Sequence, residues 1–524
     1  MSKKTIIIGA GLGGLISGIL IKKAKPDDEV IIYDMNKIPG GLCTAFKKAT
    51  TYNGEKLTYT INIPLITSDL KDDDIFGEFL KYMGVKNIHW RVVDKLFQYY
   101  PLEGNPFKFD KNGDKEILNL AQSKKERKSL QKYLDKMYTV FYDLFHRAHY
   151  PPKASQAIKM LFTIPSTVFA LMNDKPYLKT IEKIGIKTEE IKNILCVPEA
   201  FMGVDVDKVS ALGEMVMIQS FLNKFGLQPD KGDSFQTLSD NLADRFKELG
   251  GKLVLGKTVD SIAFDKNRAK GVIIDGKLEE SDVVMIGVAQ DKIKSLLEAG
   301  KNIGSIKKLI KKVNKLPYPN SDYYCYYLID KRAVEEEPRL TEFAYHIYKL
   351  PECRDESNWK LALWVPDDLI NNKYYILSLV MTEQSQDKID QWIELRKKDP
   401  KKYDEEKEKV AQKYMEMVME VEPVFKKYPP LKHVLTMTPA SYLPYGTKYP
   451  ICGLAQVPEN FGMNRMASKI LDNLFIASGA CFSGGIWGAF AGGWHGFVNF
   501  YKSIYGIEIG NRDLVFKPGL KNLP

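Results

Sequence analysis

Gly9, Gly11 and Gly14 fall within the run Gly9-Ala10-Gly11-Leu12-Gly13-Gly14, directly after the short β-branched stretch Thr5-Ile-Ile-Ile8. Glycines at that spacing suit a chain that must hold a pyrophosphate by its backbone. Gly9 permits a tight turn. Gly11 has no side chain, so phosphates can approach the main chain. Gly14 lets a helix pack closely on its strand. Leu12 and Gly13 lead toward that helix, whose N-terminus offers free N–H groups and roughly half a positive charge. An acid, Asp34, stands twenty positions past Gly14 and ends the apolar stretch Val30-Ile-Ile-Tyr33. Its carboxylate can accept hydrogen bonds from a ribose, and its charge repels a 2′-phosphate.

Those residues need elements in a fixed order to meet. Thr5–Ile8 reads as a buried parallel strand, Leu15–Ala24 as a helix that Pro26 helps to end, and Val30–Tyr33 as a second strand. A second segment begins at Gly232-Asp233-Ser234-Phe235-Gln236. It continues as a helix over Leu238–Leu249, then strands at Lys252–Leu255, Val259–Phe264, Gly271–Ile274 and Asp282–Gly287. A third reads as the strand Leu474–Ala477, the turn Ser478-Gly479, and a glycine-rich helix opened by Gly484-Gly485-Ile486-Trp487-Gly488-Ala489. Such a helix start can stabilise negative charge beside it.

The residues after Asp34 carry a resemblance. Met35 and four more positions lead to Gly40-Gly41, with Leu42 and then Thr44 beyond. This resembles the DxxxxxGGxxxT/S continuation of FAD-binding flavoproteins of the amine oxidase and phytoene desaturase type. There the glycine pair passes beside the pyrophosphate from the other side. The family usually has Arg where this chain has Leu42. The segment 232–289 is similar to the second FAD-binding segment of phytoene desaturases, in which the backbone at the position of Val259 faces the adenine. The run 484–489 is similar to the family's closing motif, which brings backbone N–H groups to the flavin. Thr438-Pro439-Ala440-Ser441-Tyr442 and Pro458-Glu459-Asn460-Phe461-Gly462 also resemble the phytoene desaturase and retinol saturase group. The implied cofactor-binding set is Gly9, Gly11, Leu12, Gly13, Gly14, Asp34, Met35, Gly40, Gly41, Leu42, Val259, Gly479, Gly485, Ile486, Trp487 and Gly488. No catalytic side chain is singled out.

Other chemistries find little support. The six cysteines include no CxxC pair, and a reductase-like partner for Cys43 would stand at 48, which is Lys48. Cys43 therefore reads as a small apolar filler, and a reducing, cytoplasmic setting is expected. The six histidines form no HExxH, and His146 with His149 lack partner ligands, so no metal is expected. There is no GxSxG, no P-loop and no second GxGxxG. Lys plus Arg is 76 and Asp plus Glu is 66, a net charge of +10 over 524 residues. That mild excess has no nucleic-acid tail and suits weak attraction to an anionic membrane surface. From Phe475 to Phe500 there is no Asp, Glu, Lys or Arg and His495 is the one basic side chain, yet the glycines there suit a close-packed helix better than a bilayer span.

The fold expected is α/β. A discontinuous Rossmann-type FAD-binding domain takes residues 1–65, 226–300 and 450–524. An α+β substrate domain from 66–225 and 301–449 lays a mixed or antiparallel sheet over the flavin. Residues 66–225 read as helical and aromatic-rich, including Phe97, Tyr99 and Tyr100. The apolar segment Ile158–Met172, with Pro165 inside, reads as a core helix pair or an interfacial anchor; the lack of a clear charged face favours the core. Strands are expected at Tyr323–Leu328, Ala344–Tyr348, Leu361–Trp364 and Tyr374–Leu377, with Val410, Tyr414, Met417 and Val421 on one helix face. The resemblance implies an FAD-dependent oxidoreductase acting on carbon–carbon bonds of a long hydrophobic substrate such as a carotenoid, retinoid or other isoprenoid. Flavin amine oxidation, redox-neutral double-bond isomerisation and a non-catalytic flavin-binding role are the alternatives. An unidentified electron donor or acceptor and a peripheral membrane contact complete the expected partners; nucleic acid is not among them.

Overall fold

The computed structural model describes residues 2–62, 67, 70–146, 154–223, 226–230, 232–350, 360–450, 453–461 and 465–509. Its first sheet has six strands in the spatial order 469–471, 474–476, 283–286, 4–8, 29–34, 252–255. All neighbours are parallel except the first pair. The register sets Ile6 beside Ile31 and Val284, and Ile7 beside Ile32 and Met285. These apolar residues are fully buried or nearly so, as a sheet covered on both faces requires. The helices Leu12–Ala24, Phe235–Glu248 and Gly485–Tyr505 cover one face. A three-stranded antiparallel sheet over 261–280 and the helices Gln290–Leu297 and Gly304–Val313 pack on the other. The helix expected from Leu238 starts earlier, at Phe235. Ser234 caps it by accepting from the Thr237 amide, and Thr237 returns the bond.

A second sheet of seven strands runs 432–437, 321–330, 374–383, 360–364, 345–349, 97–100, 107–109. It is antiparallel except where Tyr345–Lys349 runs parallel to Phe97–Tyr100, so it is mixed. This corrects part of the helical reading of 66–225. Phe97, Tyr99 and Tyr100 form a strand, and Phe107–Phe109 pairs outside it. Short aromatic runs fit a pleated surface better than a helix. Within the ten-residue strand Ser321–Asp330 the side chains alternate. Tyr323, Cys325, Tyr327 and Ile329 pack toward the helix Pro400–Val421. Tyr324, Tyr326 and Leu328 turn the other way, against Leu57, Tyr59 and Ile61 of the hairpin 45–62.

The segment 158–172 keeps the expected helix pair but is only partly buried. It forms two short helices, Ala154–Thr163 and Pro165–Met172, with Pro165 at the first helical position of the second, where its missing N–H costs nothing. Met160, Ile164 and Leu171 are buried, but Ile158, Leu161, Phe162, Phe169 and Met172 are exposed, Phe162 by 83%. The core reading therefore holds for only one side of the pair. The stretch 475–500 divides into a strand, a single 3-10 turn and the glycine-rich helix. Its glycines seat that helix tightly: a Cβ on Gly493 would lie 2.7 Å from the Gly13 carbonyl oxygen, and one on Gly496 would lie 3.0 Å from Ala477 Cα. Among the described residues no helix is long and apolar enough to cross a membrane.

Candidate functional site

The glycine run turns as its spacing predicts. Gly9 sits at φ +103°, and its amide donates to the Tyr33 carbonyl at 2.7 Å. A Cβ on Gly14 would overlap the Gly9 carbonyl oxygen, so this glycine is required by packing within the loop. Gly11 differs: a Cβ there would meet only the Gly287 oxygen, at 3.8 Å. The space beside it belongs to a cavity of about 770 Å³. Gly40 and Gly41, both at positive φ, bring the second loop alongside; the Gly40 amide donates to the Ala10 carbonyl at 2.8 Å. Asp34 closes the arrangement. Its Oδ2 accepts from the Ala10 amide and its Oδ1 from the Asn36 amide, each at 2.7 Å. Burial raises its carboxyl above the ordinary range, while those two N–H groups pull it back.

Two helix N-termini open on the same cavity. The helix Leu12–Ala24 starts at Gly11 and the helix Gly485–Tyr505 at Gly484. Neither has a side-chain cap or an acid in its first turn. Ser, Thr, Asp or Asn is the preferred acceptor for these N–H groups at a helix start. Leaving them bare toward a cavity favours an anionic or hydrogen-bond-accepting ligand. Gly485 sits at φ +75° with nothing within 4 Å of where a Cβ would be, so it too borders open space. Gly488 does not. A Cβ there would overlap the Ser483 carbonyl oxygen, and Gly488 is absent from the cavity wall. The wall does include Gly9, Gly11, Leu12, Gly13, Asp34, Met35, Gly40, Gly41, Leu42, Val259, Gly479, Gly485, Ile486 and Trp487. Of the sixteen residues singled out in the sequence, Gly14 and Gly488 alone lie behind it. Gly462, from the last resembling stretch, lies outside the described residues.

Opposite the loops, the cavity is walled by the seven-stranded sheet and its helices. One part is apolar, with Phe97, Phe201, Met202, Val216, Met217 and Phe221. Phe97 and Phe221 meet edge to face at 4.5 Å between ring centres. Another part is aromatic and polar, with Asp322, Tyr324, Tyr326, Tyr345, Thr382 and Tyr442. Asp322 is not legible as a candidate in the sequence. Its neighbours Tyr323 to Tyr327 draw attention to themselves, and only the strand's alternation places it on the cavity face. Cys43 also lines the cavity, but burial pushes its thiol up to about 12, so it is unreactive there.

A dinucleotide fits this chamber. A cradle that a Cβ at Gly11 or Gly485 would fill faces two uncapped helix starts, and the Asp34 carboxyl borders the same space. A model of the NAD(P)-binding Rossmann-like domain matches residues 7–72. No curated protein matches the chain. Among solved structures it is similar to an oxidoreductase from Methanosarcina mazei, at 15% identity and a TM-score of 0.57 over 94% of this chain and 99% of that one. A Pyrococcus furiosus protein gives 15% and 0.53 over 95% and 97%. A candidate protoporphyrinogen oxidase from Exiguobacterium sp. 255-15 gives 13% and 0.51 over 83% and 86%. At such identities the likeness is one of fold. The chain thus has an α/β architecture in which a dinucleotide-binding Rossmann-like unit with a parallel sheet is joined to a mixed second sheet.

Proposed function

We propose that this protein is an FAD-dependent oxidoreductase. The observation that carries the reading is a cavity with phosphate-suited glycine loops and bare helix N-termini on one side and an apolar and aromatic sheet on the other. Likeness to a structure described as an oxidoreductase supports it. Gly9–Gly14 and Gly40–Gly41 would hold the pyrophosphate, Asp34 a ribose, the Val259 backbone the adenine, and Gly485–Trp487 the isoalloxazine. FAD supplies hydride acceptance or donation, and the chain supplies position and field. The apolar wall around Phe97, Phe201 and Phe221 favours a long hydrophobic substrate reacting at a carbon–carbon bond. Isoprenoids such as a carotenoid or retinoid are of this kind. The second reading is amine oxidation, which the tyrosines 324, 326, 345 and 442 around the cavity favour. Electrons enter or leave through a transient partner such as oxygen, a quinone, a small carrier or NAD(P)H.

The purified protein should be yellow and release FAD on denaturation. Anaerobic mixing with NADH, NADPH and quinones identifies the electron partner. A colourless protein that takes up no FAD on reconstitution would defeat the proposal.

A further inference from the structure

Four buried polar atoms in one corner of the cavity have no partner in the protein: Oδ1 of Asp322 and the hydroxyls of Tyr326, Tyr345 and Tyr442. All four residues are exposed by 2% or less, and all four line the cavity. Oδ2 of Asp322 takes a long hydrogen bond from the Tyr324 hydroxyl, at 3.4 Å, and Thr382 stands directly across the strand pair. The Tyr324 ring stacks on Tyr326 at 6.4 Å and meets Tyr442 edge-on at 6.3 Å. Leaving a buried polar group unpaired costs about 1–3 kcal/mol. Four together, all facing one space, call for a ligand atom that accepts hydrogen bonds.

The charge state narrows that ligand. The groups that act on Asp322 are Tyr324 and Tyr442 with Thr382, and none is a cation. Burial without a counter-charge pushes the Asp322 carboxyl up to about 8, so it is protonated at neutral pH. Burial also holds Tyr324, Tyr345 and Tyr442 well above 10, so the rest of the corner stays neutral. Of the other charged lining residues, Asp34 ends a parallel strand, and Lys257, Asp260 and Lys292 stand on the loop and helix that follow parallel strands. A protonated carboxyl donates one hydrogen bond, and each tyrosine can donate one more.

Resting on the FAD-oxidoreductase reading, we infer that Asp322, Tyr326, Tyr345 and Tyr442 form a subsite for a neutral oxygen-bearing head group, a carbonyl or hydroxyl at one end of an otherwise hydrophobic substrate. Asp322 donates to that oxygen and sets specificity. A substrate that is hydrocarbon at this end would leave all four atoms unpaired.

The test uses the whole protein, its FAD content recorded, with 2-octanone and octylamine as probes in equilibrium titrations. Binding is followed by thermal stabilisation and by the flavin difference spectrum. For wild type, ketone affinity should be highest near pH 6.5 and fall by about tenfold toward pH 9.5 as Asp322 ionises. Asp322→Asn keeps an N–H donor, so it should bind the ketone within a few fold of wild type with a flat pH profile. Asp322→Leu should lose about tenfold at pH 6.5, the scale of one lost hydrogen bond. Equal ketone affinity in wild type and Asp322→Leu overturns the inference. So does octylammonium binding that exceeds the ketone's, rises toward pH 9 and vanishes in Asp322→Asn, which would assign the corner to a cation. Loss of FAD affinity in Asp322→Leu with no ketone binding in any form would mean that the corner faces the flavin, and overturns it too. A preparation that takes up no FAD defeats the oxidoreductase reading, while thermal stabilisation by the ketone still decides the subsite.

Discussion

Asp34 and the glycines show how differently neighbouring residues respond to substitution. Asp34→Ala removes the acceptor that holds the Ala10 and Asn36 amides as well as the proposed ribose contact. FAD affinity should fall by about 1–3 kcal/mol, and the melting temperature of the FAD-free protein should fall as well. A titration showing unchanged affinity would leave Asp34 as a brace for the loop only. Gly11→Val should fold normally and bind no FAD, because its side chain projects into open cavity. Gly14→Ala should instead damage the fold, because its Cβ overlaps the Gly9 carbonyl. Circular dichroism with FAD occupancy separates the two outcomes. Asp322 gives a pH prediction. Its folded value of about 8 lies above the roughly 3.9 of an unfolded Asp, so the native state binds the extra proton between those values. Its burial costs little at low pH, and the cost grows as pH rises toward 8 and stays above it. Asp322→Asn should therefore gain stability relative to wild type as pH rises, by a few kcal/mol at pH 9, since each pH unit between the two values is worth about 1.4 kcal/mol. Denaturation midpoints at pH 5 and 9 that differ by the same amount in both proteins would contradict this.

Among the elements, those with a strict local pattern are legible in the sequence alone. The glycine run between two β-branched strands has one physical solution, and the folded chain adopts it with boundaries a few residues from those expected. The strand Ser321–Asp330 is also visible, but which face each tyrosine takes is not. That depends on the hairpin 45–62 and the helix 400–421, which come from distant parts of the chain. Asp322 escapes notice for the same reason, since nothing in its own neighbourhood says that it faces a cavity. The strand Phe97–Tyr100 reads as helical because its pairing partner, Tyr345–Lys349, lies far along the chain. The glycine-rich helix divides its roles between nearby positions. Gly488 is needed for packing against Ser483, so a charge there would test folding and not the flavin. Gly485 borders open cavity, and Asp tolerates its left-handed backbone better than most residues. Gly485→Asp would place a negative charge at the helix start, opposing a field worth up to about 2 kcal/mol. A lower flavin midpoint potential, or loss of FAD, is the expected result of an anaerobic redox titration. Normal FAD content with an unchanged potential would show that this helix start does not point at the flavin.

For the whole molecule, the exposed apolar side chains are unevenly placed. Ile158, Leu161, Phe162, Phe169 and Met172 lie on two consecutive short helices, with Tyr138 exposed on the helix Lys124–His146 that packs beside them. Two helices joined at Pro165 present this face without spanning anything. Scattered exposed hydrophobes need no explanation, but a cluster on adjacent elements marks an interaction surface. The chain is also positively charged, at +10. The substrate class proposed above would be met at a membrane, and helices with exposed Phe and Leu suit the headgroup boundary. We therefore predict peripheral binding to anionic liposomes that weakens as salt rises, since surface attraction is screened beyond about 8 Å at physiological ionic strength. Burying a Phe side chain is worth about 1.5–3 kcal/mol, so Phe162→Asp and Phe169→Asp should each weaken binding by at least about tenfold. Neither residue lines the cavity, so FAD content should be unchanged. Flotation at low salt is the measurement. If wild type stays free of phosphatidylserine vesicles while remaining monomeric, the face does not dock on lipid. If it associates with itself and the same substitutions abolish that, the face is a protein interface.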